Sequence, residues 1–178
     1  QSRAFVTFDY MNVKPANVDE YINLESEVWK PVHKAYQKHE FEVSWSLYRV
    51  RGAGTQNHYN YVTVSVYDGL GSLDRNIDDE EEIISKIYSN EDLSGFWNRT
   101  SEARLHTGRD VFFVYDQALK GNNKELSAFS SGKIGQDITV TFMQTFAGQN
   151  AVGLESKWWK PIHKERINQK VINSWEVL

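Results

Sequence analysis

Residues 24–34 read LESEVWKPVHK, and residues 154–164 read LESKWWKPIHK. Continued without a gap, the match pairs residues 24–47 (copy 1) with residues 154–177 (copy 2) at a constant spacing of 130, and ten of these 24 pairs are identical. A recurrence of this length at a fixed spacing is the sequence signature of an internal duplication. We therefore predict that the chain contains two copies of one structural unit.

The hydrophobic pattern around copy 1 predicts a strand, a helix and a strand. Residues 6–10 alternate apolar and polar side chains, as a half-buried strand does. A helix is expected from Asn17, which forms a capping-box pattern with Glu20, and residues 41–47 alternate again. Two further strands, at 59–67 and 109–116, flank a helical region that starts at residue 78 and breaks near Asn90. The resulting order, βαββαβ, predicts a ferredoxin-like α+β unit.

The chain thus divides into three parts. Residues 1–116 are expected to form the first ferredoxin-like repeat, and residues 117–136, rich in Gly, Asn, Ser and Lys, a linker. Residues 137–178 are expected to form a partial second repeat of strand, helix and strand, with its first strand at 140–142. Because a whole unit would need two more strands and a helix, we expect a longer chain or completion by the first repeat or another subunit.

The two faces of the third strand suggest how the repeats meet. Val62, Val64 and Val66 lie on one face, and Tyr59, Tyr61 and Tyr67 lie on the other. Helices on one side of the sheet can cover only one of these sets. We expect the tyrosine set to face the sheet of the second repeat, which would give an intrachain α+β barrel.

Composition and charge exclude several classes of function. The net charge is −4 and the basic residues are dispersed, so we expect no nucleic-acid partner. No run of 18 apolar residues exists, so the chain is not expected to span a membrane. The absence of cysteine excludes disulfides, thiolate metal sites and cysteine nucleophiles. The chain begins with Gln1 rather than Met, as after signal-peptide removal, so we expect an exported protein, periplasmic or extracellular.

The repeated motif supplies the candidate site residues. Glu25, Trp29 and His33 follow one another at four-residue spacing and lie along one ridge of the expected helix. A carboxylate, an indole and an imidazole on one ridge could bind and protonate a small polar aromatic ligand. The alternative is that these side chains pack the helix against its sheet. The counterparts in copy 2 are Glu155, Trp159 and His163.

A proline lies two residues after the tryptophan in both copies. Pro31 and Pro161 should kink their helices, because proline lacks an N–H and clashes with the carbonyl four residues earlier.

The five histidines show no pair at i, i+4 and no metal-triad spacing, so no metal site is expected.

The βαββαβ units and the motif Trp-Lys-Pro-(Val/Ile)-His-Lys at 29–34 and 159–164 resemble a known superfamily. The chain resembles the dimeric α+β barrel proteins in a tandem-repeat form, and in particular uncharacterised exported bacterial proteins of that type. The resemblance covers 4–116 and 137–178. It implies self-association, and it implies activities as different as cofactor-free oxygenation, isomerisation and haem chemistry. No cofactor is expected, and a haem held by a helix histidine is the alternative that this resemblance implies.

Two functions therefore stay open at this point. The first is a small-molecule binding or catalytic site between helix and sheet, of unknown reaction. The second is a non-enzymatic structural or interaction protein of the cell envelope or of an extracellular assembly. Whether the protein is an enzyme is not decided by the sequence.

Overall fold

A computed structural model describes residues 4–51, 58–74, 77–120, 126–131, 137–141 and 148–178. Its main sheet contains the strands β1 (Ala4–Val13), β2 (Ser44–Arg49), β3 (Tyr61–Asp68) and β4 (Arg104–Phe113). They lie in the order β2-β3-β1-β4, and each neighbouring pair is antiparallel. This is the strand order of a ferredoxin-like unit, so the predicted α+β fold class is confirmed.

Helices cover one face of this sheet. They are α1 (Val18–Leu24), α2 (Lys30–Lys38), α3 (Leu70–Leu73), α4 (Ile77–Ser85) and α5 (Asn90–Ala103), with a 3-10 turn before α1 and a π turn between α1 and α2. Side chains from α1, α2, α4, α5 and the sheet form one buried apolar cluster, the inner core. Its members include Met11, Val13, Tyr21, Leu24, Val28, Trp29, Val32, Tyr36 and Tyr61. The predicted placement of the helices on one face is confirmed.

The opposite, outer face of the sheet carries the valines. Val6, Phe8, Val62, Val64 and Val66 form a second buried cluster there with Phe129, which belongs to a 3-10 helix at Ala128–Ser131. Leu126, Ile138 and Leu178 pack against the rim of this cluster.

The predicted position of Tyr61 is therefore wrong, whereas Tyr59 packs against the outer cluster. Tyr61 lies under the helices, 5.2 Å from the ring of Tyr21, because its register partner Met11 also points into the inner core. The closure of an intrachain barrel by a second sheet stays a prediction.

The remaining elements belong to copy 2 and to the segment before it. They are β5 (Asp116–Leu119), α6 (Ala151–Leu154), a π turn, α7 (Lys160–Asn168) and β6 (Ser174–Val177). Strands β5 and β6 pair antiparallel as a separate two-stranded sheet. The expected linker thus contributes a strand and a 3-10 helix. Residues 137–141 are not in a strand, and Phe142, the end of the expected strand, lies outside the described residues.

Some predicted element boundaries are wrong for local reasons. Strand β4 begins at Arg104 rather than at residue 109, because α5 passes directly into it without a loop. Asn17 does not cap its helix: its side-chain amide donates to the carbonyls of Glu102 and Ala103, at 3.1 and 3.4 Å. The break between α4 and α5 near Asn90 is confirmed, with Ser89 as N-cap. No helix among the described residues is long and apolar enough to cross a membrane.

Candidate functional site

A π turn places the site residues of copy 1. Residues Glu25–Trp29 form the turn, and the Lys30 N–H donates to the Glu25 carbonyl five residues earlier. Pro31, which has no N–H to donate, follows at once, and the wider turn relieves the clash expected between its ring and the carbonyl of Glu27. Copy 2 has the same turn at Glu155–Trp159, before Pro161. The predicted proline effect therefore takes the form of a π turn, a feature frequent at functional sites.

Glu25 is buried between α1 and the sheet. Its nearest cation is Arg104, whose Nε lies 3.8 Å from the carboxylate, too far for a hydrogen bond. Burial raises the pKa of Glu25, and the charge of Arg104 only partly opposes this effect. A carboxyl group in this state is suited to exchanging a proton nearer neutral pH than an exposed Glu.

Two polar groups beside Glu25 are poorly satisfied. The buried Tyr21 hydroxyl lies next to the carboxyl group without a hydrogen bond of normal geometry, and burial raises the pKa of Tyr21. The Nε of Arg104 likewise has no hydrogen-bond partner among the described residues. Its Nη1 donates to the sulfur of Met11, at 2.7 Å, and a thioether is a weak acceptor.

The sheet side of this interface is polar and charged. Asp9, on the central strand, accepts hydrogen bonds at one oxygen from His106 Nε2 (2.8 Å) and from Arg109 Nε (2.7 Å). Thr7, Thr63 and Ser65 are buried on the same face. We call the charged and hydroxyl side chains gathered here the interlayer cluster: Asp9, Tyr21, Glu25, Arg104, His106 and Arg109.

Exposure of the side chains increases from one end of the interlayer cluster to the other. The Glu25 side chain is 4% exposed and Arg104 17%, whereas His106 is 46% and Arg109 58% exposed. The cluster therefore extends from exposed side chains on β4 to the buried carboxyl group.

Trp29 is buried against helix α5. Its indole N–H donates to Thr100 Oγ1 on α5 at 2.9 Å, and its ring lies 4.3 Å from that of Trp97. Because the indole donor is satisfied and the ring is buried, these contacts favour the packing alternative for this residue.

His33 forms a pair with a residue outside the predicted site. Its Nδ1 lies 3.1 Å from Glu42 Oε2, and the Glu42 side chain is fully buried. The imidazole stacks on Trp45 at 4.7 Å with an interplanar angle of 12°. One edge of the ring stays accessible, since the side chain is 23% exposed.

Copy 2 does not bring its three predicted residues together in this way. Trp159 is 50% exposed, whereas Trp29 is 7% exposed. His163 stacks on Trp175 at 5.4 Å, but its Nδ1 faces the Arg166 guanidinium at 3.5 Å. Burial and the charge of Arg166 lower the pKa of His163. The matched residues of the two copies therefore lie in different environments.

The sequence analysis missed most of the interlayer cluster. Asp9 had one usable signal: a carboxylate inside an alternating strand, on the face opposite Phe8 and Tyr10. Arg104 and Glu42 gave none, because their approach to Glu25 and to His33 depends on strand register and helix packing.

Metal and haem binding find no support in the geometry. No group of three His, Asp or Glu side chains within the described ranges is arranged around a metal position. The His33 imidazole stacks on Trp45, and its side chain is 23% exposed.

Comparison with known proteins does not assign a reaction. No protein-family model matches the sequence, and no curated protein matches it. Among solved structures, a dimeric ferredoxin-like protein from an uncultured marine organism matches with 11% identity and a TM-score of 0.47, over 68% of this chain and 95% of its own. SnoaB, a cofactor-independent oxygenase from Streptomyces nogalater, matches with 10% identity and a TM-score of 0.37, over 63% of this chain and 92% of its own.

A third match is a conserved protein of unknown function from Bacteroides thetaiotaomicron, described as a possible oxidoreductase. It has 9% identity and a TM-score of 0.39, over 64% of this chain and 99% of its own. At these identities the likeness concerns the fold alone.

Proposed function

We propose that the protein binds a small polar molecule at the interlayer cluster and exchanges a proton with it through Glu25. The observation that carries the proposal is the buried Glu25 carboxyl group, which has a raised pKa and no cation within hydrogen-bond distance, beside the buried Tyr21 hydroxyl. Burial of a carboxyl group with so little compensation lowers stability.

The donors of the cluster indicate the chemistry of the ligand. The buried Tyr21 hydroxyl and the Arg104 Nε–H can both donate, and a protonated Glu25 would add a third donor. A ligand that carries a carbonyl or carboxylate oxygen would satisfy them together. Arg109 and His106, at the exposed end, would meet such an oxygen-rich molecule first.

Glu25→Gln tests this proposal, with Glu155→Gln as the matched control in copy 2. Because the folded-state pKa of Glu25 is raised, the folded protein loses stability as pH rises above the ordinary Glu value through the folded pKa. Glu25→Gln should remove this loss and be more stable at pH 8 than the wild type. Glu155→Gln should leave stability unchanged.

A ligand screen supplies the functional readout. Small carboxylates and carbonyl compounds are titrated while carbon-detected NMR follows the Glu25 carboxyl group and nitrogen-detected NMR follows Arg104 Nε. We expect to find a compound that binds the wild type and the control with equal affinity. The same compound should bind Glu25→Gln at least about tenfold more weakly. Titration of Glu25 at the ordinary Glu pKa, or equal binding by both variants, would contradict the proposal.

An exposed helix face favours the second candidate, an interaction protein. Leu154, Trp158, Trp159 and Ile162, here called the copy 2 ridge, are each about half exposed, between 47% and 60%. Contiguous apolar surface of this kind marks interaction sites. Helix α7 carries Lys160, Lys164 and Arg166 against one carboxylate, whereas α4 carries five carboxylates and no cation.

We propose a second copy of this chain as the partner, with its α4 against the copy 2 ridge. Within copy 1 the matching helix α2 already packs against α4. A helix that carries this repeated motif can therefore pack against a helix with the sequence of α4. Sedimentation equilibrium should give a dimer that dissociates in high salt and in Trp159→Glu, and that persists in Val43→Glu, an exposed apolar site outside the ridge. A monomeric wild type would contradict this candidate.

A further inference from the structure

The two repeated histidines have opposite hydrogen-bond partners. His33 Nδ1 faces Glu42 Oε2 at 3.1 Å, and a carboxylate can only accept. His163 Nδ1 faces Arg166 Nη1 at 3.5 Å, and a guanidinium can only donate. The same side chain on the same repeated motif is thus held by an acceptor in copy 1 and by a donor in copy 2.

These partners determine which ring nitrogen carries the proton in the neutral imidazole. At His33 the proton must lie on Nδ1, which leaves the Nε2 lone pair free. At His163 the facing guanidinium favours the proton on Nε2, because only an unprotonated Nδ1 can accept from Arg166. Nε2 of His33 has no hydrogen-bond partner among the described residues, and the side chain is 23% exposed, so this lone pair can be reached.

The aromatic neighbours fix the ring in this orientation. In both copies the imidazole stacks on a tryptophan of the following strand, Trp45 at 12° and Trp175 at 17°. In copy 1 the edge of Tyr36 adds a second contact at 6.0 Å. Each imidazole is therefore stacked alike, and the copies differ at two positions beside it: Glu42, whose counterpart is Ile172, and Tyr36, whose counterpart is Arg166.

We propose that His33 is a proton acceptor and that Glu42 is its positioning residue, whereas His163 has no such role. His33 Nε2 takes a proton from a hydroxyl or activated C–H group of a neutral small molecule. The substrate becomes an anion, and the imidazolium is balanced by the buried Glu42 carboxylate. A neutral substrate is favoured because Glu42 repels an anion before the transfer. The inference stands on residues outside the interlayer cluster, so it does not need Glu25 to bind a ligand.

Nitrogen NMR of the imidazoles tests the tautomers directly at pH 8. We expect Nδ1–H at His33 and Nε2–H at His163 in the wild type. Glu42→Ile, which copies the residue of copy 2, should move His33 to Nε2–H. Glu42→Gln should keep Nδ1–H, because its amide oxygen still accepts. Nε2–H at His33 in the wild type, or no change in Glu42→Ile, would overturn the proposal.

Acylation by diethyl pyrocarbonate tests the free lone pair with no substrate needed. We expect His33 to react at least about tenfold faster than His163, and Glu42→Ile to remove most of that difference. Ile172→Glu is a second variant that does not depend on the folding of Glu42→Ile, and it should raise the rate at His163. Equal rates for the two histidines in the wild type would overturn the proposal. Because neither measurement involves Glu25, their failure is distinguishable from failure of the interlayer site.

Discussion

Copy 1 and copy 2 share a local structure and differ in what surrounds it. Both have a short helix, a π turn, a second helix of nine residues and a strand at the same spacing of 130. Yet Leu24 is 0% exposed and Leu154 is 47% exposed. Local sequence therefore encodes the backbone of this motif, whereas burial depends on elements that are distant in the sequence.

The distant elements can be named. In copy 1 the face of the helix packs on the sheet and on α5, where Thr100 binds the indole of Trp29. In copy 2 the helix α7 lies over the two strands β5 and β6, and Ile167 is the residue of α7 that becomes buried. The same sequence motif thus forms a core helix in one place and leaves an apolar ridge in the other.

The largest expected effect comes from truncating the matched leucines. Leu24→Ala should lower the free energy of unfolding by about 3 kcal/mol, because a fully buried side chain leaves a cavity. Leu154→Ala should change it by less than about 0.5 kcal/mol. Denaturant titration of both variants measures the difference, and equal losses would mean that copy 2 is buried in solution.

A smaller effect concerns Glu176, on strand β6 of copy 2. Its carboxylate accepts hydrogen bonds from the Ala128 N–H (2.6 Å) and from Ser127 Oγ (2.9 Å). Burial raises the pKa of Glu176 to about 7, from an ordinary value of 4.5. Between these two values the unfolded chain loses its proton first, so rising pH should destabilise the folded state.

The magnitude of this effect should be on the order of 2 kcal/mol across that interval, after allowance for partial solvent exposure. Glu176→Gln should flatten the curve of unfolding free energy against pH relative to the wild type. Its counterpart in copy 1 is Ser46, which does not titrate, so Ser46→Ala is the control and should keep the wild-type slope. Parallel curves for Glu176→Gln and the wild type would show that this carboxyl group titrates normally.

The smallest effect should be equal in the two copies. Glu40 and Lys170 follow the second helix of each copy with positive φ, 59° and 61°. Each sits in a C-terminal cap in which the next N–H donates to a carbonyl five residues back, as Phe41 does to Tyr36. Replacing either residue with glycine should stabilise the protein by roughly 0.5 kcal/mol, because glycine adopts this φ without strain. A gain in only one copy would indicate that the stability of these caps depends on tertiary contacts as well as on the local backbone.

The sequence predicted well the features that depend on residues close together in the sequence. The order of strands and helices along the first repeat followed from the hydrophobic alternation and the helix boundaries, and the Glu25–Trp29–His33 ridge followed from the repeat. Prediction failed for the question of which face of the main sheet the helices cover. Nothing near Tyr61 indicates that the helices cover tyrosines rather than valines, because only the pairing of β3 with β1 decides it.

The candidate site shows the same division. Glu25 and His33 were found because they recur, but their partners Arg104 and Glu42 do not recur: the residue matching Glu42 is Ile172. Asp9, Arg104 and Arg109 meet through strand register across almost 100 residues of chain, which no spacing rule describes.

The valine-bearing outer face of the main sheet has a consequence for biosynthesis. Strand β3 ends at Asp68, and Leu126, the first described residue of the segment that covers this face, comes 58 residues later. At roughly 5–20 residues per second, a ribosome needs several seconds to make that stretch. During this time a finished pair of β1 and β3 would present Val62, Val64 and Val66 to other nascent chains. The protein should therefore need a holding chaperone early in its synthesis, until its own later segment docks on the sheet.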